Sequence, residues 1–178
     1  SSGGLGTMGY GLPSAIGAAF GRPGEIIFDI DGDGSFEMTL NELATAVTNN
    51  LNIKVAILNN RHHGMVRQWQ DLFYKGRHAQ SELIGQPDFA KLAEAYGAVG
   101  ITVTRREEVR GAIEKALKTP KTVIMNFFVE ESENCWPMIA PGKPANEMLG
   151  TYEMLQKEGG LPQHRKFKED APEDLSLS

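Results

Sequence analysis

The chain holds a single cysteine, Cys135, among 178 residues. No internal disulfide can form, and this usage fits a reducing compartment. No apolar run approaches the ~20 residues that a membrane-spanning helix requires, and nothing at the start reads as a secretory signal. Positive charge is also scarce. Eighteen Lys and Arg stand against 23 Asp and Glu, for a net charge of −5. The basic residues form no block, so nucleic-acid binding has no electrostatic support. An acidic chain that binds a phosphorylated ligand needs helix N-termini or a divalent cation to do so. No internal repeat is present.

The sequence does have an ordinary globular composition, 40% hydrophobic and 23% charged, enough for one domain with a core. It opens on "SSGGLGTMGYG", with glycines at 3, 4, 6, 9 and 11. Such density belongs to a functional loop. A helix is expected from Pro13 to about Phe20, then a buried strand "EIIFDI", then an acidic glycine loop. Thr39 and Glu42 read as a capping box opening the next helix. A second buried strand, "IKVAIL", ends in Asn59 and Asn60. Helices are expected over 65–73 and in "DFAKLAEAYG", the latter stopped by Gly97. Strand "AVGITV" follows, then a helix opened by a second box, Thr104 and Glu107, then strand "KTVIMNFFV". Residues 1–150 read as one domain and 151–178 as a flexible polar tail.

Apolar strands alternating with amphipathic helices predict an α/β fold, with a mostly parallel sheet between two helical layers. Such sheets bind ligands at the carboxyl ends of their strands. Two polar clusters fall there, "DGDGS" and "NNRHHGM", side by side if consecutive strands pair.

The stretch "FDIDGDGSFEMT" carries four acidic residues in twelve. Asp29, Asp31, Asp33 and Gly34 fit the opening of an EF-hand calcium loop. The closing position is Leu40 rather than Glu, and a strand precedes the loop instead of a helix. Magnesium on a diphosphate is the better owner. Gly32-Asp33-Gly34 and Asn59-Asn60 are separated by 24 residues. Asp33, the Asn60 amide oxygen, a loop carbonyl, phosphate oxygens and water make an oxygen octahedron. Gly34 and Ser35 stand where backbone N–H groups can meet phosphate.

This pairing resembles the signature of thiamine diphosphate (ThDP) enzymes. "GLGTMGYGLPSAIGAAFG" and "NNRHHGMVRQWQDLFY" further resemble the catalytic subunit of acetohydroxyacid synthase, or acetolactate synthase, over roughly residues 3 to 140. The resemblance implies the ThDP-binding, Rossmann-like fold and the last of three domains, about a third of the subunit. That family decarboxylates pyruvate and transfers the two-carbon unit to a second 2-keto acid, pyruvate or 2-ketobutyrate, in branched-chain amino acid biosynthesis. Carried over, Asp33, Asn60 and the His62 carbonyl are Mg²⁺ ligands. Gly34, Ser35, Gly64 and Met65 approach the diphosphate. Gly6 offers its carbonyl to the aminopyrimidine, Met8 bends the cofactor, and Met38 packs near the ring. Trp69 lines the pocket for the second keto acid and for herbicides. Cys135 and Trp136 lie in a segment that closes toward the active site. Asp29 and Asp31 read as supporting groups, and His78 and His164 receive no role.

The same resemblance implies FAD on another domain, homodimers or larger assemblies, and a regulatory subunit. The compartment would be the cytoplasm of a prokaryote or the plastid of a plant. The catalytic Glu at the pyrimidine ring belongs to a domain outside this chain; Glu37 and Glu42 lie on the diphosphate side. The chain by itself is therefore expected to be inactive, and its start within the glycine loop reads as a truncation. A ThDP enzyme of the glyoxylate carboligase or pyruvate oxidase type is the alternative. A non-catalytic calcium- or nucleotide-binding module is a third reading.

Overall fold

A computed structural model describes residues 1–150. The expected tail and His164 lie outside them. Residues 1–133 form one compact unit, and a second begins at Asn134.

The first unit is built on four parallel strands: β1 (Ile27–Gly32), β2 (Ile53–Asn59), β3 (Val99–Val103) and β4 (Val123–Phe128). Their order is β1-β2-β4-β3. β2 and β4 are central, and their mostly apolar sequences follow from burial on both sides. One face packs against α1 (Gly11–Gly21), α2 (Asp33–Thr39), α3 (Leu43–Thr48) and α5 (Phe89–Tyr96), through Leu12, Ile16, Phe36, Leu43 and Phe89. The other face carries α6 (Val109–Lys118), whose Ala112 and Ala116 meet Val103, Val123 and Met125. Toward β1 that face leaves Phe28, Ile30 and Leu58 exposed. The α5–β3 contact is backbone-tight. A Cβ on Gly100 would stand 2.2 Å from the Ala90 carbonyl oxygen, so only glycine fits.

Both expected capping boxes are corrected. The helix after β1 starts at Asp33, with Gly32 as its N-cap. Thr39 makes no cap bond at the turn over Leu40–Glu42. Its hydroxyl donates instead to the Gly9 carbonyl, at 3.3 Å. A tertiary partner displaced the local one. Before α6 the box is shifted by one residue. Glu108, not Glu107, accepts from the backbone N–H groups of Thr104 and Arg105, at 3.2 and 3.1 Å. α5 starts on Asp88, which caps Ala90 and Lys91, and ends on Gly97 at φ 90°.

The second unit contains a short antiparallel pair, β5 (Met138–Ile139) and β6 (Met148–Leu149). Gly150 lies under the Trp136 ring, where a Cβ would clash at 2.2 Å.

Candidate functional site

Register places the site. β1 and β2 pair in parallel, with Gly32 beside Leu58, so both end at the same level. Asp33 follows directly on β1, and Asn59-Asn60 closes β2. The two polar clusters that the sequence placed at neighbouring strand tips are therefore together.

Asn59 and Asn60 do different work. Asn59 is buried, donates to Asn126 Oδ1 on β4 at 3.1 Å, and accepts from the Arg61 N–H at 3.1 Å. It ties the turn to the sheet. Asn60 is half-buried, and its Oδ1 accepts from the His62 N–H at 3.1 Å. Directly after them the backbone turns through Arg61 at φ 59°. That turn delivers the Arg61 N–H to Asp33 Oδ2 at 2.8 Å. Asp33 is 2% exposed, and its Oδ2 also accepts from the Gln86 amide at 2.7 Å.

His62 does not project its ring as a ligand. Its Nδ1 lies 2.9 Å from the Asn60 carbonyl, and Arg67 Nη1 stands beside the ring at 3.3 Å. His63 precedes α4 (Gly64–Phe73), and its Nδ1 is buried without a partner. The His63 ring packs tightly on Gly34: a Cβ there would stand 3.0 Å from Nδ1. A Cβ on Gly64 would stand 3.1 Å from Asn60 Nδ2. The glycines therefore let two helix starts and the asparagine turn pack closely.

The glycine-rich loop docks onto the same place. The Gly9 N–H donates to Ser35 Oγ at 2.9 Å, and Gly6 and Gly9 take φ of 61° and 76°. Ser2 gathers the start of that loop through Leu5 and Thr7. Gly11 opens α1 against the carboxylates of Asp29 and Asp31, each within 2.7 Å of its Cβ direction. Burial, and then the neighbouring Asp31, push Asp29 up to about 6. Burial and the Asp33 charge also raise Glu37, with His63 opposing.

α4 reverses the usual pattern of a surface helix. Its only fully buried side chain is Gln68, while Met65, Val66, Trp69, Leu72 and Phe73 are exposed. Trp69 stacks edge-on against Phe73 with ring centres 5.4 Å apart. Met65, Val66, Trp69 and Tyr74 line an open apolar cavity of about 760 Å³. Met8 and Met38 are also exposed, at 38% and 56%. Apolar side chains held in water near a polar anchor mark a ligand or partner surface.

Residues 1–127 match the family described as thiamine pyrophosphate enzyme, C-terminal TPP binding domain. The chain belongs to that family. Its four-stranded parallel sheet between helices fits that description. The acetolactate synthase large subunit of Cyanidium caldarium is 50% identical over 157 residues, 88% of this chain and 27% of that protein. Acetolactate synthase 2, chloroplastic, of Nicotiana tabacum is 48% identical, over 84% of this chain and 24% of that protein. The Escherichia coli isozyme 2 large subunit is 42% identical over 84% of this chain. Among solved structures, a Rhodococcus jostii thiamine diphosphate-dependent 4-hydroxybenzoylformate decarboxylase superposes with a TM-score of 0.65. It is 28% identical, over 71% of this chain and 24% of that one. The chain spans about a quarter of the length of these relatives.

The donor set fits a hard cation held with phosphate. Asp33 and Asn60 are oxygen donors, and no group of three or more His, Cys, Asp or Glu suited to a metal occurs among the described residues. A magnesium ion there would draw its remaining oxygens from a backbone carbonyl, phosphate and water. Two contributors escaped sequence reading. Asn126 had a signal, as the lone polar residue in "VIMNFF". Gln86 had none, because its partner lies 53 positions away. Among the described residues, no helix is long and apolar enough to cross a membrane.

Proposed function

We propose that this chain is the Mg-ThDP diphosphate-binding domain of an acetolactate synthase. The complete enzyme decarboxylates pyruvate and transfers the two-carbon unit to pyruvate or 2-ketobutyrate, in branched-chain amino acid biosynthesis. The observation that carries this reading is the 2.8 Å bond from the Arg61 N–H to Asp33, which sets the β1 carboxylate beside the β2 asparagine turn. Similarity to acetolactate synthase large subunits over most of the chain supports the choice within the family.

The residues divide the work by chemistry. Asp33, Asn60 Oδ1 and the His62 carbonyl hold Mg²⁺, which removes the repulsion between an acidic chain and a diphosphate. The start of α4 at Gly64 and Met65, and the N–H groups of Gly34 and Ser35, face the phosphates. Gly6 presents its carbonyl to the aminopyrimidine. Met8 and Met38 give the rings an apolar bed. Trp69 lines the pocket for the second keto acid, and this is the surface that herbicides of this class would occupy. Bound ThDP supplies the electron sink for decarboxylation. The acid at the pyrimidine comes from another domain, in a subunit pair or larger assembly, so this chain alone is inactive. FAD sits on a further domain, and a regulatory subunit joins the large one. The compartment is the cytoplasm in a prokaryote or the plastid in a plant.

Product analysis of the complete protein tests this. Pyruvate alone should yield acetolactate, and added 2-ketobutyrate should divert product to acetohydroxybutyrate. Tartronate semialdehyde from glyoxylate, or acetyl phosphate formed with oxygen, would instead assign a carboligase or oxidase. Trp69→Leu should shift the choice of second keto acid more than the rate of decarboxylation.

A further inference from the structure

The segment 81–88 straps across the asparagine turn. The His63 N–H donates to the Ser81 carbonyl and the Leu83 N–H to the Arg61 carbonyl, both at 2.8 Å. His62 and Glu82 form an isolated antiparallel bridge between these bonds. The segment ends where Asp88 caps α5. Gln86 stands between these two anchors. Pro87 follows it, which restricts its backbone to extended conformations. Its amide is thus delivered to Asp33 Oδ2, at 2.7 Å, by a backbone held on both sides.

That bond and the one from the Arg61 N–H fall on the same oxygen. The two oxygens of Asp33 are thereby made unequal. Oδ2 takes two donors, each a strong bond because the acceptor is charged. Oδ1 takes neither of these bonds. We propose that Gln86 is a positioning residue that holds Asp33 as a one-oxygen ligand and so favours Mg²⁺ over Ca²⁺ at this site. The proposal rests on reading Asp33 as the metal carboxylate. Mg²⁺ demands a tight octahedron with single-oxygen ligands, whereas Ca²⁺ accepts carboxylates through both oxygens at longer distance. Gripping Asp33 through both oxygens requires Oδ2 to give up a donor. Gln86 opposes that surrender.

The test titrates the complete protein, with saturating ThDP, against Mg²⁺ and separately Ca²⁺, following binding by calorimetry. Gln86→Met keeps the side-chain length and removes the donor. Its Mg²⁺ affinity should fall about tenfold, as for partners that orient a metal ligand, while Ca²⁺ affinity changes less than about twofold. Gln86→Asn, which keeps the amide but shortens its reach, should show the same direction and serves if the Met variant does not fold. A folded variant with both affinities unchanged, or both weakened equally, overturns the role of Gln86. Asp33→Asn is the reference. If it loses both metals while Gln86→Met matches wild type, the metal site stands and the positioning role fails. If Asp33→Asn binds Mg²⁺ as wild type does, both readings fall.

Discussion

The two ends of strand β2 treat buried polar groups in opposite ways. At its start, Lys54 is fully buried, and its ammonium reaches Asn52 Oδ1, the Thr119 carbonyl and the Lys121 carbonyl at 2.5 to 2.6 Å. Burial lowers it to about 8, so it remains charged at neutral pH. Each of its three donors has an acceptor. Past the carboxyl end, His63 Nδ1 is buried with no partner. A structural end satisfies its polar atoms. An end that leaves them unpaired spends stability, and proteins tolerate that where chemistry is done.

Substitutions at the two ends should break this contrast or sharpen it. The largest effect belongs to Asp33. Asp33→Ala in the complete enzyme should lower Mg²⁺-dependent turnover on the order of a thousandfold, by leaving the cation without its carboxylate. Steady-state rates across a magnesium series check this. Lys54→Met should do the reverse. It strips the donor from two carbonyls and should cost about 2–4 kcal/mol of stability, with Mg²⁺ affinity unchanged. Denaturant unfolding alongside metal titration separates the two.

Asp29 gives the smallest effect and the opposite sign to Lys54. Its folded pKa, about 6, lies above the usual 3.8. Between these values the unfolded chain ionises while the folded one keeps its proton, so stability falls as pH rises from about 4 to 6, then levels. Asp29→Asn removes that loss. It should gain about 1 kcal/mol at pH 7.5 and nothing below pH 4, a difference that thermal melts across pH will register.

What was legible in the sequence was local or periodic. The strands showed because β2 and β4 are mostly apolar, and Gly97 marked the end of α5 by its left-handed turn. The pairing of GDG with Asn59-Asn60 was readable because one helix and one strand separate them, which sets both at neighbouring tips. What was not legible depends on tertiary partners. Thr39 matched a capping box yet bonds Gly9, thirty positions earlier. Glu108 captured the Thr104 N–H that the pattern had assigned to Glu107, together with the Arg105 N–H. Trp69 and Met65 were picked out by resemblance alone. That α4 turns its apolar side outward and buries Gln68 follows from tertiary packing, which no local pattern encodes.

The central claim is a divalent cation held between Asp33 and Asn60. Replacing Mg²⁺ by Mn²⁺ in crystals of the complete protein with ThDP, and measuring anomalous scattering at the manganese edge, tests it directly. One strong peak is expected within about 2.3 Å of a carboxylate oxygen of Asp33 and of Asn60 Oδ1. A manganese peak on other residues, with Asp33 still bonded only to Arg61 and Gln86, would contradict it.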